Sequence, residues 1–333
     1  MAIMLKCGMV GGHLNAFIGE VHRKAMAFDT RAKLVAGCFS SDAAKNKETA
    51  EAYSIDEART YATYAEMAEK EAANGDGIDL AIITTPNNTH YEIAKTFLAK
   101  GINVVCEKPL CFEVAEAEEL YALAKEKNLI FAVTYTYTGY DMVKVAKEMV
   151  AEGKIGEIAA VNAEYAQDWL LDELSPENKG NAKNLSVWRT DPSKSGISNS
   201  VGDIGTHIEA TVHYITGLRI KRLLATINRY GHELDLNANI ITEYEGGVNG
   251  AYWCSQIAAG RLNGLVVRIY GTEGALEWEQ EKPDFLSYTP RGQARQILSR
   301  GCGYLTEKAA GQNRLPCGHP EGLYVAFANI YRN

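Results

Sequence analysis

The sequence predicts an α/β chain in two parts, a parallel sheet covered by helices on both faces followed by a part built on an antiparallel sheet. Two textures predict it. Up to about residue 150, apolar runs (LKCGMVGG, KLVAGCFS, IDLAIITTP, GINVVCEKP, LIFAVTY) alternate with alanine-rich, charge-studded segments of helical length, the pattern of successive βαβ units. After Gly156 the segments 158–166, 222–230, 236–245, 248–257 and 265–271 are rich in Thr, Tyr and Val and closely joined. Glu245–Gly247 and Gly271–Gly274 read as hairpin turns between them. The intervening residues 167–207 are irregular, polar and tryptophan-containing, too long for a plain connector and of the kind that carries function. The closing PEGLYVAFANIYRN reads as a helix running to the terminus.

The bulk numbers narrow the class of function. At 333 residues, 46% hydrophobic and 23% charged, the chain is long enough to bury the cores of two domains. Thirty-four Lys and Arg against 42 Asp and Glu give a net charge of -8, so nothing advertises a nucleic acid or an anionic membrane surface, and a small molecule is the expected partner. The start, MAIMLKCGMVGG, lacks the apolar core and cleavage site of a signal peptide, and no apolar stretch of spanning length follows, so the cytoplasm is expected. Seven cysteines, odd in number, scattered and never in C-x-x-C, suggest neither a disulfide framework nor a structural zinc, and read as small core residues.

The first functional signal is CGMVGGHLNAFIGEVHRKA. It places Gly8, Gly11, Gly12 and Gly19 between the first strand and the first helix, where glycines let the backbone turn tightly against a pyrophosphate held at the helix N-terminus. The strict G-x-G-x-x-G is absent: His13 stands in the turn and Gly19 comes late. At the end of the second strand, Ser40, Ser41, Asp42 and Lys45 admit either NAD, through an acid on the ribose, or NADP. TTPNNTH breaks into a loop at Pro86, at the carboxyl edge where open α/β sheets bind ligands. Asn87 is a candidate for the ribose or a cap of the next helix, and His90, in that helix's first turn, reads as structural.

The second signal is CEKP, which ends another parallel strand at the same edge. Glu107 and Lys108 are therefore expected to project into the cofactor crevice, with Pro109 stiffening the turn, cis or trans. Lys108 would then serve as a fixed cation beside a developing alkoxide, the alternative being a surface ion pair. The third is VGDIGTHIEATVHYITG, with Asp203 and His207 four residues apart on one face of an apparent helix. Histidine suits general acid/base work near neutrality, and a carboxylate can orient it or a substrate hydroxyl. A two-ligand metal site lacks a third ligand, and no metal is expected; Asp203 as a helix N-cap stays open.

Taken together, the glycine turn ending in FIGEVHR, TPNNTH, CEKP, YTGY, WRTDP and GDIGTH resemble the glucose-fructose oxidoreductase / inositol dehydrogenase / rhizopine-catabolism (Gfo/Idh/MocA) family over essentially the whole chain, and within it a subgroup of sugar and cyclitol dehydrogenases. The resemblance implies an N-terminal Rossmann domain (1–136) and a C-terminal α/β domain (137–333) with an open, mostly antiparallel sheet. It also implies a nicotinamide cofactor, NAD with NADP open, and oxidation or reduction of a secondary alcohol of a sugar, glycoside or cyclitol, for instance at C3. Lys108, Asp203 and His207 correspond to its catalytic group. Cofactor contacts are expected from Gly11, Gly12, His13, Phe17, Ile18, Ser40, Ser41, Thr85, Pro86, Asn87, His90, Glu107 and Lys108. The chain ends at Asn333, earlier than the resemblance leads one to expect.

In this reading His207 takes the hydroxyl proton while Lys108 stabilises the oxygen, or the two exchange roles, and Asp203 orients His207 or binds a neighbouring hydroxyl. Buried hydroxyls need polar partners, for which Tyr137, Gln167, Trp188, Arg189 and His319 are candidates, with Asp168, Asp191 and Tyr140. Trp169 and Trp188 could stack on a ring or simply pack, and Arg189 could pair with Asp191. Two further readings are a tightly held cofactor recycled through a transient ketone for epimerisation or glycoside cleavage, and a non-catalytic nucleotide sensor. The broad sheet face is expected to be buried in a homodimer or tetramer.

Overall fold

The computed structural model describes residues 4–28, 31–175, 187–301 and 321–332. Its first five strands, β1 (Leu5–Gly11), β2 (Ala32–Cys38), β3 (Leu80–Thr84), β4 (Asn103–Cys106) and β5 (Phe131–Val133), pair in parallel in the order β2-β1-β3-β4-β5. An isolated parallel bridge from Gly37 to Thr60 stands where a further edge strand beyond β2 would lie. Counted as a vestigial strand, it completes the six-strand order of a dinucleotide-binding sheet. The crossovers are α1 (Phe17–Ala27), α2 (Ala43–Ala52), α3 (Tyr64–Ala73), α4 (His90–Ala99) and α5 (Val114–Glu126). With both faces covered, β3 is buried at every residue and reads as a continuous apolar run without alternation.

The rest of the described chain holds α6 (Asp141–Ala151), β6 (Ile158–Ala166), a short α7 (Pro192–Ser195), a π-helical turn at Val201–Gly205 and α8 (Thr206–Thr216). It continues with β7 (Ile220–Asn228), β8 (Asn237–Tyr244), β9 (Asn249–Ser255), β10 (Gly264–Gly271), β11 (Gly274–Glu279), β12 (Phe285–Pro290), β13 (Gln296–Ser299) and α9 (Glu321–Arg332). The eight strands run β13-β12-β11-β10-β6-β9-β8-β7, antiparallel throughout except for the parallel β6–β9 pair. Helices α6 and α8 lie against one face, where Val161, Ala163, Tyr165, Val267, Ile269, Leu276 and Trp278 are buried. The register puts Leu224, Ile241, Ala251, Asn162, Arg268, Glu277, Ser287 and Ile297 in one row across the other face, with Leu224, Ile241 and Ile297 exposed.

The described chain forms two units, residues up to Thr134 with those from Phe327 on, and Tyr135–Ala326. Among the described residues no helix is long and apolar enough to cross a membrane, and no three His, Cys, Asp or Glu side chains could hold a metal ion. Cys7, Cys38, Cys106 and Cys254 are buried and free; burial pushes the Cys38 thiol up to about 11 and the Cys254 thiol to about 12, as suits inert core residues.

Candidate active site

The glycine turn has the form a pyrophosphate needs. Gly11 and Gly12 have φ of 83° and 72°, in the left-handed region that other residues resist. A Cβ on Gly12 would lie 2.5 Å from Met9 Sδ and 3.1 Å from Gly19 Cα, and one on Gly19 would lie 2.4 Å from Gly12 Cα. The turn and the first coil of α1 are therefore in backbone contact, which only this pair of residues allows. The extra residues form a turn of their own, Ala16 N donating to His13 O at 2.7 Å. Ala16 is the N-cap of α1 and no side chain caps the helix, so its first-turn N–H groups face the turn as anion donors. These features fit a bound dinucleotide. Phe17 is 67% exposed there.

Around the sheet edge, several expected contacts are already committed elsewhere. Asp42 caps α2, accepting from Ala44 N and Lys45 N, which holds its carboxyl below the usual range, and Ser40 Oγ accepts from Asp42 N at 3.1 Å; Ser41 is exposed. Thr85 Oγ1 accepts from Thr89 Oγ1 at 2.7 Å. His90 is fully buried, with Nδ1 2.8 Å from Pro109 O and Nε2 2.8 Å from Thr85 O. Both ring nitrogens are thus used inside the protein. That corrects its expected cofactor contact: His90 ties the TTPNN loop to the CEKP turn, and burial pushes its pKa down against those two bonds. Neither Asn87–Thr89 nor α4 has a side-chain cap, so Asn87, buried beside Pro86, is not spent as one.

The CEKP turn answers which charge faces where. Glu107 N still bonds Ile83 O at 3.0 Å, so the ladder runs one residue past β4, and the Lys108–Pro109 peptide is cis. Glu107 does not project outward as expected. Its carboxylate turns inward to His22 Nε2 at 2.9 Å, and Glu107 is 7% exposed. Burial pushes its pKa up, but the His22 hydrogen bond, the Lys108 charge and Thr134 outweigh that and hold it below the usual carboxylate range. Lys108 is partly exposed.

In the second unit the π turn and α8 put Asp203 and His207 on one side of the helix. Gly205 between them allows a close approach to β9, since a Cβ there would meet Cys254 Sγ at 3.0 Å. His207 is 6% exposed among three tyrosines: ring centroids lie 4.5 Å from Tyr137, 5.9 Å from Tyr135 and 6.1 Å from Tyr165. Asp203 is not an N-cap. Its Oδ2 accepts from Gln256 Nε2 at 2.9 Å and its Oδ1 lies 3.6 Å from Arg189 Nε. Arg189 also stacks over Trp188, 4.6 Å from the ring centroid. It does not pair with Asp191, which caps α7 through Ser193 N and lies 3.2 Å from Lys194 Nζ.

A hydrogen-bonded network backs this face. Tyr137 and Tyr165 share a hydroxyl bond and Tyr165 donates to Asn263; Gln167 Nε2 donates to the same oxygen at 2.8 Å, while Gln167 Oε1 accepts from Trp169 Nε1 at 3.0 Å. Burial pushes the Tyr165 phenol far up, so it keeps its proton. Asn199 Nδ2 donates to Gln256 Oε1 at 2.7 Å, and Asp235 holds that loop through Asn199 N and Val201 N, each at 2.8 Å. Tyr137 and Gln167, expected to touch substrate, are thus engaged in the wall. His319 lies outside the described residues. His22, Tyr165, Asn199, Asp235, Gln256 and Asn263 escaped the sequence reading; no spacing rule links Gln256 to Asp203, 53 residues apart.

A parallel sheet with a glycine turn fit for a pyrophosphate, followed by a unit built on a mostly antiparallel sheet, defines a two-part dinucleotide-binding protein. The chain belongs to the GFO/IDH/MocA family: the profile of the oxidoreductase family, NAD-binding Rossmann fold, matches residues 5–135, and that of the GFO/IDH/MocA C-terminal domain matches residues 143–277. It is 37% identical over 336 residues to an uncharacterized oxidoreductase of Bacillus subtilis, covering 98% of this chain and 84% of that protein. Levoglucosan dehydrogenase of Pseudarthrobacter phenanthrenivorans is 29% identical over 233 residues, 63% of this chain and 57% of that protein. An inositol dehydrogenase homolog from Azotobacter vinelandii, solved with NAD+, superposes with a TM-score of 0.92 at 38% identity over 99% of this chain and 85% of that one. Solved with NADH and myo-inositol, it gives 0.89 at 37% over the same shares. The first unit is thus an NAD-binding Rossmann domain, as the resemblance led us to expect.

Proposed function

We propose that the protein is a reversible NAD-dependent dehydrogenase acting on a secondary alcohol of a cyclitol, sugar or glycoside ring, the C3 hydroxyl being the first to test, with Lys108, Asp203 and His207 as its catalytic group. The observation that supports it most is the setting of His207: an imidazole shielded by Tyr135, Tyr137 and Tyr165, next to a carboxylate held in place by Gln256 and Arg189. Shielded from water, such an imidazole keeps its proton-transfer role for a ring hydroxyl. The nicotinamide, when bound, takes or gives the hydride. His207 removes the hydroxyl proton; the Lys108 ammonium stabilises the oxygen as charge develops; Asp203, oriented by its two partners, binds a neighbouring hydroxyl. The relatives support the substrate class, since one was crystallised with myo-inositol and another is named for levoglucosan, both ring polyols.

The test is a panel of cyclitols, pyranoses and glycosides with NAD+ and, separately, NADP+. NADH absorbance is expected to rise with at least one cyclic polyol. A protein that binds NAD+ yet turns over none of them would contradict the proposal.

We also infer that the exposed face of the eight-stranded sheet is buried by a second copy of the chain. Leu224, Ile241 and Ile297 are 70%, 60% and 56% exposed on it, with Arg268 between Glu164 and Glu277 in the middle, an apolar face with charged registration marks. Leu224→Asp with Ile241→Asp is expected to shift the light-scattering mass down to the monomer, and an unchanged mass would assign the interface elsewhere.

A further inference from the structure

We infer that Tyr331, His22 and Glu107 form a buried hydrogen-bonded relay that positions Lys108, making the end of the C-terminal helix a supporting part of the catalytic apparatus. The inference rests on Lys108 being catalytic, as proposed above.

His22 is fully buried on the inner face of α1. Its Nε2 meets Glu107 Oε1 at 2.9 Å, its Nδ1 bonds the Tyr331 hydroxyl, and the Phe327 ring closes on it edge-on at 4.9 Å. The direction of each bond follows from what its members can do. Glu107 is ionised, as its lowered pKa indicates, and a carboxylate only accepts, so His22 Nε2 carries the hydrogen. Burial pushes the Tyr331 phenol far above its ordinary range, so it keeps its proton, and in the relay, where His22 is the neutral imidazole, it donates that proton to Nδ1. Tyr331 thereby selects one tautomer of His22, and that tautomer selects the orientation of Glu107.

Pinning Glu107 inward has a consequence one residue on. With its carboxylate tied to His22 and its N–H to Ile83 O, Glu107 is anchored at both ends, and it fixes the start of the bend that carries the less buried Lys108. The charge of Lys108 is among the influences that keep Glu107 ionised, and the attraction is mutual, so a fixed anion stands behind the ammonium. For stability alone, apolar residues would fill this space at no greater cost than a buried carboxylate and imidazole. The relay has a use because its last member adjoins the lysine.

The test uses Tyr331→Phe, Glu107→Gln and Lys108→Ala in the full chain with NAD+ and a substrate found by the panel. Tyr331→Phe, one oxygen smaller, is expected to lower kcat about tenfold, and Glu107→Gln about tenfold to hundredfold. KM for the polyol and the affinity for NADH should stay within about twofold of wild type. The ¹⁵N spectrum of the wild type should show His22 as the Nε2–H tautomer, and Tyr331→Phe should mix the two. A merely structural role would lower the melting temperature without this split between kcat and KM. If Tyr331→Phe and Glu107→Gln keep wild-type kcat while Lys108→Ala is inactive, the relay is overturned and the catalytic reading stands; if Lys108→Ala keeps wild-type turnover, that reading itself falls. Should Glu107→Gln fail to fold, the wild-type ¹⁵N spectrum decides, since an Nδ1–H tautomer at His22 overturns the relay.

Discussion

His207→Ala is expected to lower kcat by about 10²- to 10⁴-fold, the range over which a positioned general base acts, while NADH binding is unchanged. The size of the loss follows from the surroundings. His207 is 6% exposed, and two of the tyrosine hydroxyls around it are engaged: Tyr137 bonds Tyr165, and Tyr165 donates to Asn263. Burial also holds the Tyr165 phenol protonated, so that tyrosine is no substitute base for the substrate proton. The cavity left behind has the shape of an imidazole, and added imidazole should restore part of the rate. Lys108→Ala should cost about 10²- to 10³-fold, as removal of one donor to a developing oxyanion does. Stopped-flow single turnovers would separate this loss from slow product release. A His207→Ala protein with wild-type kcat would move the base elsewhere in the chain.

What was legible in the sequence was what local chemistry controls. The strands at 158–166 and 265–271 stand at Ile158–Ala166 and Gly264–Gly271, because alternation and glycine turns act over a few residues. The final helix was legible for the same reason. Strands β11 to β13 were not read from any run of their own. Only β11 shows a clear burial alternation, while β12 and β13 are mostly half-exposed or exposed, and each of the three pairs with the edge left by the strand before it. At the site, the types of residue were legible and their directions were not. Two charges ending an apolar run say nothing about which one turns inward. That was decided by His22, 85 residues before Glu107, and by Tyr331, 309 residues after His22. Likewise Arg189 had an acid two residues away in Asp191 and instead lies against Asp203. In each case proximity in space overrode proximity in sequence, and a buried polar group took the partner the fold brought to it.

Gly19→Ala is the substitution for which two principles disagree, and the local geometry decides between them. Inside a helix alanine is better than glycine by about 1 kcal/mol, so on propensity alone the variant should be stabilised. Gly19 is not free to use that gain. Its added Cβ would sit 2.4 Å from Gly12 Cα and 3.0 Å from Gly12 O, contacts with backbone that no side-chain rotation relieves. Either the first coil of α1 moves off the turn, or Gly12 leaves its φ of 72°. Both displace the donors that the uncapped start of α1 presents to a pyrophosphate. A hydrogen bond to a charged group is worth about 1.5–3 kcal/mol, so NADH affinity is expected to fall at least about tenfold, with a loss of ~1–3 kcal/mol in stability from overpacking. Fluorescence titration with NADH and a thermal melt would measure the two separately. Glu20→Ala, next in the same helix and only partly covered, should leave the affinity at its wild-type value. If Gly19→Ala binds NADH as tightly as wild type, the turn between β1 and α1 is not where the pyrophosphate is held.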